Sequence, residues 1–138
     1  MNTRPLTIRV RDVMKTDFGR IEGIATVGEA LNVMKTLKTS VLIVNKRHDD
    51  DEYAMITSAD IARHVLAKDR SPDRVNVYEI MSKPVISVHP DMDIRYCSRL
   101  FSDYNLVRAP VLEDRNIVGM VSPNYLVLDG LYRLYLQS

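Results

Sequence analysis

The residues with the clearest capacity for chemistry are Thr57 and Asp60, in the run Thr57-Ser58-Ala59-Asp60. An ionised carboxylate is purely a hydrogen-bond acceptor with two oxygens, so Asp60 can take two neighbouring hydroxyl donors at once, as the diol of a ribose presents them. Thr57 stands where an apolar strand pattern, Ala54-Met55-Ile56, gives way to a helical one. Its hydroxyl lies beside the unpaired N–H groups of a helix start, where a phosphate oxygen is favoured. The same four residues also read as a capping box, with Thr57 at the N-cap and Asp60 three positions later. The two readings are compatible if Thr57 caps while Asp60 turns outward.

Four cations follow or flank this run: Arg63 and His64 on the helix after Asp60, and Lys83 and Arg108 near other strand ends. Each can neutralise phosphate charge or be an ordinary solvated residue. Arg108, next to Ala109-Pro110-Val111, is the favoured one. A second helix start occurs at Ser122-Pro123, since Pro suits the first helical position. There the place of Asp60 is taken by Tyr125, which lacks a paired acceptor and can stack on a base or cover its helix.

Other chemistry is poorly supported. His48-Asp49-Asp50-Asp51-Glu52 lacks the alternating ligands and the turn glycine of a calcium loop, and reads as a solvated hairpin tip. His48, His64 and His89 have no zinc-type spacing with the single Cys97, which falls on an apolar helix face as a small buried hydrophobe. Walker, G-x-S-x-G and dinucleotide glycine patterns are absent. The expectation is a protein without catalytic residues, catalytic cofactor or metal.

The elements that must position Thr57 and Asp60 come in two rounds. Val10-Arg11-Asp12-Val13-Met14 returns as Val77-Tyr78-Glu79-Ile80-Met81 at an offset of 67 positions, and Thr26 to Leu31 returns at the same offset as Asp93 to Ser98. Val41 to Val44 aligns with Pro110 to Glu113, and Ala54 to Ile61 with Gly119 to Leu126, the register slipping in the loops between. Each round predicts an extended segment such as Pro84 to Val88, then a helix capped by Thr26 or Asp93, with apolar faces at helical spacing. A two-strand hairpin follows, Val41 to Val44 with Tyr53 to Ile56, and Pro110 to Leu112 with Ile117 to Val121. A closing helix runs from Ser58 to Lys68 and from Pro123 to Leu136. The boundaries are thus 7–68 for the first repeat, 69–76 for a linker, 77–128 for the second repeat and 129–138 for a helical tail. Either repeat alone is short for a stable core, so the two are expected to pack with pseudo-twofold symmetry as one α/β (α+β) module with clefts between the halves.

The balance of 19 Lys and Arg against 18 Asp and Glu, over 138 residues, argues against a surface built to coat nucleic acid or an anionic membrane. With one cysteine, no internal disulfide demands an oxidising compartment. No apolar run reaches a bilayer-spanning length of about 20 residues, and the polar start has no signal core, so a cytoplasmic protein is expected. The tail, Leu126 to Leu136, is apolar on more than one face, which predicts a homodimer contact or a partner-protein interface.

In its V-x-D-x-M start at Val10 to Met14, in Met81-Ser82-Lys83-Pro84-Val85, in Arg108-Ala109-Pro110-Val111 and in Gly119-Met120-Val121-Ser122, the chain resembles a free-standing CBS domain pair, or Bateman module. The likeness runs from about Thr7 to Leu128, and departs at Asp17-Phe18-Gly19, where the family usually has a Pro-Val entry. It implies a non-catalytic regulator that binds AMP, ADP, ATP or S-adenosylmethionine and signals to an effector protein. The implied ligand residues are Thr57 and Asp60, with Ser122 as the second-repeat counterpart of Thr57. Val85 and Ile86, with Phe18-Gly19, would line an apolar slot for adenine, while Lys83, Arg108 and Arg63 supply positive charge. At most one ligand site of the usual type is expected, built around Asp60, the second being degenerate at Tyr125. The alternative is a protein-interaction module whose clefts bind no nucleotide.

Overall fold

The structure, a computed structural model, describes residues 6–83 and 85–137. Its elements in chain order are α1 (Val10–Val13), β1 (Arg20–Ile21), α2 (Val27–Leu37), β2 (Val41–Val44), β3 (Ala54–Thr57) and α3 (Ser58–Ile61). After a wide π turn (Ala62–Leu66) and a 3-10 turn (Pro72–Arg74) come α4 (Val77–Ile80), α5 (Ile94–Asp103), β4 (Ala109–Glu113) and β5 (Asn116–Val121). A second π segment (Tyr125–Leu131) leads into α6 (Tyr132–Gln137). Helices and strands mix as the patterns require.

The chain forms two compact units: a central one, Phe18–Val85, and a second built from residues up to Asp17 together with those from Ile86 onward. These spatial units divide the chain differently from its sequence repeats. The opening segment of each repeat is packed into the unit that carries the other repeat's strands. Thus α1 docks in the second unit, where Val10 N–H donates to Met92 O at 2.9 Å and Lys15 pairs with Met120. In the central unit α4 docks through Val77 N–H to Ala25 O at 2.8 Å, and Ser82 pairs with Met55.

The central unit holds a sheet of order β1-β2-β3, with β1 parallel and β3 antiparallel to β2. β2 lies between two neighbours, and all four of its side chains, Val41 to Val44, are buried, as a central strand's continuous apolar run requires. Helix α2 begins in the expected capping box: Glu29 N–H donates to Thr26 Oγ1 and Thr26 N–H to Glu29 Oε2, both at 3.1 Å. It buries Val27, Ala30 and Met34 against Leu42, Ile56 and the docked Val77. Lys38, at φ 55°, ends it in the left-handed conformation.

The second unit has a two-stranded sheet, β4-β5, closed by a tight turn whose central residues Asp114 and Arg115 both have positive φ, as a type I′ hairpin needs. Val10, Val13, Ile94, Cys97, Phe101, Val111 and Leu126 share its core. Asp93 caps α5 by accepting from Arg95 N–H at 2.8 Å.

Two expectations change. The extended segment near Val88 contributes a single parallel bridge to Val111 rather than a strand. In the central unit Ile43 N–H donates to Gly19 O and Asn45 N–H to Ile21 O, fixing β1 on β2. In the second unit Val88 N–H donates to Pro110 O and Leu112 N–H to Val88 O. The next bond would come from residue 110, which as proline has no N–H, so the ladder stops. The same bonds equate Ile43 with Pro110, not Val41 with Pro110. The 67-residue offset therefore persists into this strand, and the slip of register falls in the hairpin that follows.

Candidate functional site

Thr57 ends β3 and caps α3. Its extended backbone, φ −120° and ψ 162°, points the hydroxyl back over the first helical turn. Asp60 N–H donates to Thr57 Oγ1 at 3.2 Å. Asp60 Oδ2 accepts from Thr57 N–H at 2.9 Å and from the Thr57 hydroxyl at 3.0 Å. Ser58 N–H donates to Ser40 O at 2.9 Å, tying the corner to the segment before β2. The capping box is thus fully formed and Asp60 is only 7% exposed, so the carboxylate is turned into the box and not outward as the sequence reading has it. Oδ1 takes part in neither bond, which leaves one oxygen with its acceptor capacity.

The other expected residues are placed as follows. Arg63 is exposed on the π turn that continues α3. Lys83 Nζ is bound to Asp51 Oδ1. Val85 is half-buried in the central unit, while Ile86, at the start of the second unit's long segment, is exposed. Phe18 is half-buried under the Arg20 guanidinium, 5.0 Å from its ring centroid, and Gly19 is buried close to Leu37 and Leu42. In the second unit Arg108 precedes β4 and Ser122 follows β5, both half-buried. Tyr125 carries Lys15 Nζ over its ring at 5.1 Å, and Lys15 also reaches Asp129 at 3.3 Å. One face of that ring is therefore covered by a cation of its own unit.

Three clusters escape the sequence reading. Asp51 is no solvated tip residue: its side chain is 7% exposed and takes bonds from Lys83, from Arg47 N–H at 3.0 Å and from Arg47 Nε at 3.1 Å. Chiefly the Lys83 bond, then those from Arg47, hold its carboxyl well below the usual carboxylate range. The spacing of Arg47 and Asp51 was a visible signal, but the partner 32 positions away was not. In the second unit Arg11 binds Asp91 at 2.7 Å and Glu113 at 3.1 Å, and lowers the carboxyl pKa of Asp91. His89, Asp91 and Glu113 offer three donor atoms within 4.8 Å of one another, a set that could hold a divalent metal, although Arg11 already supplies positive charge to both carboxylates. Third, Arg20 and Lys46 both lie over the Tyr53 ring, at 5.9 and 4.9 Å. Cys97 is buried, and burial pushes its thiol up to about 11, keeping it protonated.

A protein-family model, the CBS domain, matches residues 77–128. The hexameric CBS-CP12 protein of bloom-forming cyanobacteria is 33% identical and matches with a TM-score of 0.87, over 94% of this chain and 71% of that one. The chain belongs to the CBS domain family. A CBS domain pair, from protein MJ0100, solved in complex with 5-methylthioadenosine and S-adenosyl-L-methionine, is 25% identical over 96% of this chain and 98% of its own, with a TM-score of 0.75. A protein of Methanopyrus kandleri is 34% identical over 84 residues, 60% of this chain, which spans 42% of that relative's length. CBS domains are generally regulatory and non-catalytic. Among the described residues no helix is long and apolar enough to cross a membrane.

Proposed function

We infer that this CBS pair is a ligand sensor: an adenosine compound (AMP, ADP, ATP or S-adenosylmethionine) binds beside the Thr57–Asp60 corner, and the bound state is passed to an effector protein. The observation that carries this reading is the corner itself, with Asp60 Oδ2 held by Thr57 and Oδ1 left to accept a ribose hydroxyl. Arg63, Lys83 and Arg108 are the cations proposed for phosphate, Val85 and Ile86 the apolar contacts of the base, and Ser122 the weaker counterpart of Thr57. A solved CBS pair holding two adenosine-containing ligands supports the ligand class. The module acts without catalysis, in the cytoplasm, as a homodimer.

The test is thermal unfolding with each ligand in turn. A ligand at 100 times its dissociation constant adds about 2.7 kcal/mol of stability, which raises the midpoint by several degrees. The shift is expected with at least one adenosine ligand and is lost in Asp60→Ala, while circular dichroism shows the fold retained. The low exposure of Asp60 favours one rival, an interaction module that binds no nucleotide. A chain that gains no stability from any of the four ligands would establish that rival.

A further inference from the structure

Among the described residues, His89, Asp91 and Glu113 of the second unit each bring one potential metal ligand within 4.8 Å of the other two. His89 and Asp91 belong to the turn before α5, and Glu113 is the last residue of β4. Glu113 pairs with Asn116 at the tip of the β4–β5 hairpin, whereas Ser122 follows the opposite end, where Ala109 pairs with Val121. The group therefore stands apart from the second repeat's corner. Arg11 draws the two carboxylates together: it meets Asp91 Oδ1 at 2.7 Å from Nη2 and 2.9 Å from Nε, and Glu113 Oε2 at 3.1 Å. These bonds engage one oxygen of each carboxylate. The other oxygen of Asp91, Oδ2, lies 3.9 Å from His89 Nδ1. Asp91 N–H donates to that nitrogen at 3.1 Å, so Nδ1 carries the lone pair of the neutral ring.

We propose that His89 Nδ1, Asp91 Oδ2 and the Glu113 carboxylate form a binding site for a first-row divalent transition metal of the zinc type, with Arg11 keeping its hold on the two carboxylates. The site is independent of the adenosine-sensor reading.

The donor set selects the ion. An imidazole with two carboxylates suits zinc and its neighbours, while calcium takes six to eight oxygens and gains nothing from the ring. Ligand atoms at about 2.0–2.2 Å from a metal stand roughly 3–4 Å apart, so the three atoms need to close by only about 1 Å. His89 and Asp91 are exposed and not held by core packing, which permits that movement. The metal replaces Asp91 N–H as the partner of Nδ1. Two carboxylates against Arg11 leave negative charge for a dication, and Arg9, which donates to Asp91 O at 2.6 Å, offsets part of it. Micromolar affinity is therefore expected rather than the tighter binding of a buried site. The central unit shows that the turn itself needs no such group. Arg11 N–H to Pro90 O and Tyr78 N–H to Gly23 O, both 2.9 Å, are the same contact at the 67-residue offset. At that offset His89, Asp91 and Glu113 become Glu22, Ile24 and Lys46, and Arg11 becomes Tyr78. The same backbone contact forms there with one carboxylate and no imidazole, so the ligand set is an addition to the scaffold and not a condition of it.

Calorimetric titration of the whole chain with zinc chloride is expected to show one metal per chain. His89→Ala and Glu113→Gln, neither in the core, should each weaken zinc binding at least about 10-fold, with circular dichroism unchanged. His48→Ala, in the β2–β3 connection, should leave it within about twofold. Calcium should bind at least about 10-fold more weakly than zinc. Nitrogen NMR of the wild-type chain gives a readout that needs no variant: zinc should move the Nδ1 resonance of His89 and leave the ring tautomer unchanged. No binding up to about 1 mM zinc overturns the proposal. So does binding that survives both His89→Ala and Glu113→Gln, or calcium binding as tight as that of zinc. Asp60→Ala should leave zinc binding as it is, so failure of the sensor reading and failure of this one are told apart.

Discussion

The central unit builds a three-stranded sheet where the second unit builds two strands and a single bridge, although the stretches involved correspond at a fixed offset. The scaffold is common to both: a capped helix, a hairpin, and a short helical turn supplied by the other repeat. Differences fall at a few positions and each has a separate physical effect. Pro110 in place of Ile43 removes one donor and ends a ladder. Gly119 stands where the strand registers put Ala54, and Tyr125 stands where the central unit has Asp60. Backbone geometry thus survives changes that remove the acidic acceptor, so the two corners share a scaffold and differ in whether a carboxylate stands on it.

The largest effect expected from breaking this asymmetry is on ligand binding. Asp60→Ala removes the charged acceptor left at Oδ1 for a ribose hydroxyl and should weaken adenosine-ligand affinity by about 10- to 100-fold, measured by calorimetric titration. Tyr125→Ala should leave affinity within about twofold, since a lone aromatic ring supplies no paired acceptor. Equal losses from both variants would mean that the corners do not differ in the way argued.

Next in size is the contrast between Gly119 and Ala54. A Cβ on Gly119 would meet Lys15 O at 2.9 Å and Met14 Sδ at 2.7 Å, so backbone as well as side chain stands in the way. Gly119→Ala should cost about 1–3 kcal/mol as overpacking does. Ala54→Gly removes one buried methyl and should cost about 1 kcal/mol. Urea unfolding of both variants checks the order, and the reverse order would show that the two segments docked against β5 and β3 are not held equally.

How much of this was legible beforehand divides along a physical line. The caps at Thr26, Thr57 and Asp93, the apolar faces of α2 and α5, and the hairpins follow from local rules of spacing and were readable. The orientation of Asp60 was not: a capping box and a diol acceptor use the same residues, and only the geometry shows Oδ2 spent on the box. Asp51 looked solvated because its strongest partner, Lys83, comes from a distant segment brought in by the Met55–Ser82 bridge. Pro110 was visible as a residue, but its effect depends on which carbonyl would face the missing N–H, which is a tertiary fact.

The two units also contrast in how they hold a depressed carboxylate. Asp51 has a side chain 7% exposed and bonds from Lys83 and Arg47, whereas Asp91, bound by Arg11, is 53% exposed. A carboxyl pKa lowered on folding contributes stability above its unfolded value of about 4, and that contribution fades as pH falls through the lowered folded value. Asp51→Asn should therefore lower stability at neutral pH and flatten its decline below pH ~4. Asp91→Asn should do so less, because an exposed pair is screened by water and salt. Unfolding midpoints from pH ~2 to ~7 give the comparison, and equal slopes for the two variants would remove the distinction.

The smallest expected change comes from giving the second unit the donor it lacks. Pro110→Val restores an N–H opposite Ile86 O, where the central unit has Ile43 N–H on Gly19 O at 2.9 Å. The added hydrogen bond is worth about 1 kcal/mol. Losing the proline frees the unfolded chain by about 0.4–1 kcal/mol. The two nearly cancel, so global stability should move by less than about 1 kcal/mol. The local effect is what distinguishes the variant: the new amide at position 110 should exchange slowly with solvent, as is expected of the hydrogen-bonded Ile43 amide, with the bridge at Val88 extended toward Ser87. If that amide exchanges as fast as one in an open loop, something other than the missing donor ends the ladder, and the difference between the two sheets lies in the path of the segment rather than in one proline.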